Sequence, residues 1–173
     1  MAKAWLVTCC LAMLLGAGGA GALPARAASS PAQAQAEVEA LLNQASAALA
    51  RKDARHLTAM LDDKAVVEVR GMGLNQRTVG RQRARARYGP ELVRAPEPSV
   101  EFSDVRVRAA GARANLEAAL VAYVVPQMPQ GMENLGLFQG PVPVPGRLSA
   151  LLEKQGRHWV FLRMLFVFPG GAR

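Results

Sequence analysis

His56 and His158, the only histidines among 173 residues, are the side chains most ready to exchange a proton near neutral pH. His56 stands one turn past Asp53, and Leu57, Met60 and Leu61 already mark the buried side of that segment, which leaves the imidazole on the polar side. His158 lies beside a hairpin turn. Neither has companions at the spacing a zinc site needs, and Asp62-Asp63 lacks the oxygen count calcium takes, so no metal or other cofactor is expected. Arg81, Arg83, Arg85 and Arg87 would form a phosphate comb on a strand. On a helix, at about 100° per residue, Arg81 and Arg85 fall on one side and Arg83 and Arg87 nearly opposite. Aromatic residues make up 5% of the chain, too few for base-stacking platforms. Nucleic acid is therefore not an expected partner, and the four arginines read as a solvated face or a contact with an anionic envelope surface.

The elements that must hold these residues follow from caps and periodicity. Ser30-Pro31-Ala32-Gln33 supplies a cap, a first-turn proline and a capping-box partner, and Val38, Leu41, Leu42, Ala45 and Leu49 recur at helical spacing, predicting a helix over 31–51. Asp53 caps a second, short helix. Residues 64–70 alternate as a strand and turn at Gly71 and Gly73. Gly80 to Tyr88 reads as a third helix closed by Gly89-Pro90. Strands are expected over 98–109, 113–125, 146–153 and 158–168. In the last, Trp159 shares a face with Phe161, Arg163 and Leu165, while Val160, Leu162, Met164, Phe166 and Phe168 form the core face. Trp159, Phe161 and Leu165 exposed in a row predict a homodimer interface. Between strands, residues 126–146 hold five prolines and four glycines, a length beyond ordinary hairpin loops.

The amino terminus has the layout of a secretory signal: Lys3, the apolar run Ala4 to Leu15, then Ala25-Arg26-Ala27. Cleavage after Ala27 would leave a single domain over 28–173, periplasmic or extracellular, without Cys9 or Cys10 and hence without a disulfide. An uncleaved anchor is the other reading. The formal net charge of +8 suits anionic surfaces without naming a partner.

LTAMLDDKAVVEV, VGRQRARARY and EKQGRHWVFLRM, in this order, resemble the NTF2-like or SnoaL-like superfamily over about residues 32–168. That resemblance implies an α+β cone, three N-terminal helices packed on a strongly curved antiparallel sheet, with an apolar pocket at one end. In the steroid-isomerase branch a carboxylate base works with a tyrosine and an acid. Those positions fall here on Val69, Ala45 and Leu148, so that chemistry is not expected, and Glu68 points to the opposite face from Val69. An aromatic at the Tyr88 position borders the pocket in such proteins. The expected ligand-binding set is Tyr88, Val69, Leu148 and Met164, with Met128, Met132 and Phe138 from a lid formed by 126–146. The function expected is binding of a small apolar or amphipathic molecule without catalysis. The alternatives are an isomerase, dehydratase or cyclase with a set such as Tyr88 and His56, and an envelope protein-interaction module.

Overall fold

The structure is a computed structural model, and it describes residues 30–124 and 141–170. Met128, Met132 and Phe138 lie outside the described residues, as does the signal segment. Helix α1 spans Pro31–Ala50 and α2 spans Ala54–Ala59. Strands β1, Leu61–Gly71, and β2, Leu74–Val79, form a hairpin before helix α3, Arg81–Arg94. The chain then continues through β3 (Ser99–Ala110), β4 (Arg113–Val124), β5 (Val142–Gln155) and β6 (His158–Val167).

Local chemistry sets the helix starts. Ser30 accepts a hydrogen bond from the Gln33 N–H at 3.2 Å with Pro31 in the first turn, and Asp53 accepts from the His56 N–H at 2.9 Å. Such caps satisfy amides that have no partner within the helix. The third helix follows the β1–β2 hairpin, and it does not stop at Gly89-Pro90. Pro90 forfeits one helical hydrogen bond, yet Leu92 beyond it is buried. Gly89 faces α2 there, and an added Cβ would stand 3.6 Å from that of Ala54, an ordinary contact.

The six strands form one sheet in the order β2-β1-β6-β5-β4-β3. All pairs are antiparallel except β1 with β6, so the expectation of a wholly antiparallel sheet is corrected at that pair. Leu74–Val79 also form a strand that the glycines at 71 and 73 had hidden. Pro143 and Pro145, expected in a loop, lie in β5 opposite Tyr123 and Val121. They are tolerated because β6 leaves β5 before that point, its pairing reaching only Arg147 with Val167, and an edge has no ladder bond to lose there.

Irregularities in β6 and β3 curve the sheet, and the β1–β6 register also shifts between Leu61 and Val66. In β6, Leu152 pairs with Phe161 and Leu151 with Arg163, leaving Leu162 as an extra residue. In β3 the register shifts between Ser103 and Arg106, where Asp104 takes a φ of 50°. Bulges of this kind bend a strand and increase its twist. The core fills the space between the inner face and the helices: Val38 and Leu42 of α1 pack with Leu116, Leu120, Leu148, Leu152 and Phe161.

Candidate functional site

Burial falls toward one end of the inner face. On β6, Trp159 and Phe161 are buried, whereas Met164 and Phe166, and Phe168 just past the strand, are only half-buried. On β4, Leu116 to Leu120 give way to half-buried Ala122, and on β5 Leu148 to Leu152 give way to Val144. Tyr88, Val100 and Phe102 are half-buried at the same core. This is the open end. A hollow of about 380 Å³ lies at its rim, lined in part by Ala50, Pro98, Tyr123 and Pro141.

The expected ligand set is distributed around this end. Val69 and Met164 are half-buried on adjacent strands, Met164 pairing with Val67 and Val69 with Phe166. Leu148 is fully buried beneath them, opposite Phe166. The Tyr88 hydroxyl is 3.1 Å from that of Thr78 on β2, so each phenol and alcohol has a partner inside the fold. Ala45 is half-buried on α1. His56 and His158 are both exposed, and no group of three metal-ligating side chains occurs among the described residues.

The opposite end is closed by a polar staple. Glu37 on α1 accepts hydrogen bonds from Lys154 Nζ at 2.7 and 3.0 Å and from Trp159 Nε1 at 2.7 Å. The Lys154 bond, then the Trp159 bond, hold its carboxyl below the usual glutamate range. The Lys154 ammonium also lies 5.7 Å from the centre of the Trp159 ring, within cation–π reach.

The homodimer face expected from β6 does not exist as such. Trp159 and Phe161 are 4% and 2% exposed and belong to the core. The extra residue Leu162 reverses the alternation, so the residues facing inward are Trp159 and Phe161 before the bulge and Met164, Phe166 and Phe168 after it. Strict alternation concealed this switch. Leu165 alone of the expected trio faces outward, beside Arg163.

That outer face is polar and rich in arginine. Glu68 sits there with its side chain 7% exposed, accepting hydrogen bonds from Arg70 at 2.8 Å and Arg163 at 2.9 Å, with Arg77 at 3.7 Å. Burial pushes its pKa up, but the Arg163 and Arg70 bonds outweigh that and leave it lowered. A groove of about 560 Å³ runs beside this cluster, bounded by Arg163 and Leu165 on β6 and Arg106 and Arg108 on β3. Sequence reasoning missed it, because Arg106 and Arg108 are far from Arg163 in the chain. The four arginines of α3 do not act together: Arg81 donates to the Leu61 carbonyl at 2.7 Å and pairs with Asp63 at 3.2 Å, Arg87 donates to Gln76 at 3.2 Å, and Arg83 and Arg85 are exposed.

No family model matches the sequence, and neither does any curated protein. Solved structures do resemble it. A candidate scytalone dehydratase from Novosphingobium aromaticivorans superposes with a TM-score of 0.64 at 13% identity, covering 80% of this chain and 86% of that one. A candidate dehydratase from the NTF2-like family of Streptomyces avermitilis gives 0.64 at 15% identity, covering 80% and 98%. An NTF2-like protein of unknown function from Pseudomonas putida KT2440 gives 0.60 at 17%, covering 79% and 87%. Helices packed on a six-stranded bent sheet, together with these likenesses, give the chain the NTF2-like fold.

Proposed function

We propose that the exported chain binds a small apolar or amphipathic molecule at the open end of its cone and performs no reaction on it. The observation that carries this reading is the drop in burial along β4, β5 and β6 toward a single end, where Met164, Phe166, Phe168, Val100 and Phe102 remain only half-buried. Half-buried aromatic and aliphatic side chains on the concave side of a sheet make the kind of lining that apolar ligands fill. Acid–base catalysis there would need an ionisable group projecting inward with a pKa suited to proton transfer. The inner positions Val69, Leu148, Met164 and Phe166 supply none, the Tyr88 hydroxyl is engaged with Thr78, and both histidines are on the outside. The dehydratases among the similar structures keep an enzyme as the second reading, and these inner residues favour the binding one.

The test is a fluorescence titration of the chain beginning at Ala28 with the neutral probe N-phenyl-1-naphthylamine, followed by recovery of the probe and its mass. Saturable binding that Phe166→Gln weakens about tenfold, with unaltered probe mass, is the expected result. Binding that is absent, or indifferent to Phe166→Gln in a folded variant, contradicts the proposal.

A further inference from the structure

The outer face of the sheet carries a second feature that the cone does not explain. Register places Arg106 and Arg108 on the outward side of β3, Glu117 and Asn115 opposite them on β4, Ser149 and Leu151 on β5, and Leu165 and Arg163 on β6. The same residues line the groove of about 560 Å³. Three strand spacings separate its two arginine walls, about 14 Å. The walls are not equivalent. On the β6 side, the Arg163 guanidinium is held in place by Glu68, a carboxylate it shares with Arg70 and Arg77, so it is already engaged within the fold. On the β3 side, Arg106 and Arg108 form no ion pair among the described residues, and both are exposed. Glu117 pairs across the ladder with Arg106, so this wall keeps an uncompensated positive charge. Between the walls, Leu151 and Leu165 give an apolar floor, and both are half-buried.

We infer that this groove binds an anionic amphiphile of the alkyl carboxylate class, its head on Arg106 and Arg108 and its chain across Leu151 and Leu165 toward the stem of Arg163. Charge complementarity selects the occupant: one carboxylate neutralises the surplus left by two arginines and one glutamate, and an arginine fork receives it through two hydrogen bonds. The volume lies within the range of small-molecule sites. A second copy of the chain fits less well. It would set arginine-rich surfaces against each other, and the aromatic residues expected to drive such a contact, Trp159 and Phe161, are in the core.

The site is separate from the cone, so it is tested separately. Calorimetric titration of the chain from Ala28 with decanoate, and with decanol as the uncharged equivalent, should give at least tenfold tighter binding of decanoate. R106Q/R108Q should abolish that preference. E117Q should strengthen decanoate binding several-fold, because it removes the competing carboxylate. Phe166→Gln should leave the preference intact. All of these side chains but Phe166 are outward-facing, and thermal melts identify any variant that is misfolded. Decanoate affinity that survives R106Q/R108Q overturns the inference. So does decanoate affinity that falls with Phe166→Gln instead, an outcome that leaves the proposed function standing. A dimer in sedimentation that R106Q/R108Q dissociates, in a protein that takes up no decanoate, assigns the face to a second copy and also overturns it.

Discussion

Glu37 gathers hydrogen bonds from Lys154, Trp159 and Gln33 on one carboxylate, and its position is stabilising because the first two donors are themselves sheltered. The Glu37 and Lys154 side chains are 29% and 17% exposed, and Trp159 is buried. Its folded pKa is lowered, so its contribution is complete above the unfolded glutamate pKa and is lost as pH falls through the folded value. Glu37→Gln should therefore cost about 1–2 kcal/mol near neutral pH, allowing for partial exposure, and the cost should vanish in acid. Urea unfolding at neutral pH and at low pH checks both halves, with Trp159 as the fluorophore, since the other of the two tryptophans, Trp5, precedes Ala28. The caps at Ser30 and Asp53 were legible in the sequence because capping is local. The partners of Glu37 were not, because Lys154 and Trp159 are over a hundred residues away and nothing in their spacing points to it. Tyr88 was legible as an inward-facing hydroxyl, but not its engagement with Thr78, which sits on a strand that the glycines concealed.

Elements were legible where alternation is regular and illegible where a single residue breaks it. β4 follows the expected pattern, whereas the bulge at Asp104 breaks the alternation of β3 and Leu162 inverts β6, moving Trp159 and Phe161 from the outside to the core. At the sheet's free edge, the Gln35 amide donates to the Val105 carbonyl at 2.9 Å and accepts from the Val107 N–H at 2.9 Å. It thus occupies the backbone groups at the β3 bulge that would otherwise invite another strand. Gln35→Ala should cost about 1–3 kcal/mol and increase aggregation, measurable by chemical denaturation and light scattering. Gly89 makes the reverse case. It is helical and an added Cβ meets ordinary contact, so Gly89→Ala should stabilise by about 0.5–1 kcal/mol, seen as a higher denaturation midpoint.

For the molecule as a whole, the sequence points to a cone with an apolar inner face, and the solved structures of like fold agree on its architecture. The distribution of charge over the sheet was not legible, because the outer arginines come from all six strands and only the strand order brings them together. No helix among the described residues is long and apolar enough to cross a membrane. Export is a proposal drawn from the segment between Lys3 and Ala27, and it predicts that terminal sequencing of protein recovered outside the cytoplasm reads Ala28 first; an intact Met1 would instead support an anchor.

The claim that an apolar molecule enters the open end of the cone is tested most directly by methyl NMR of methionine-labelled protein during titration with N-phenyl-1-naphthylamine. Met164 lies half-buried on the inner face near that end, Met60 is buried at the C-terminal cap of α2, and Met72 is exposed on the turn between β1 and β2. The account predicts a saturable shift of the Met164 methyl while those of Met60 and Met72 stay in place. A shift at Met72 alone, or no shift at Met164 at probe saturation, would contradict it.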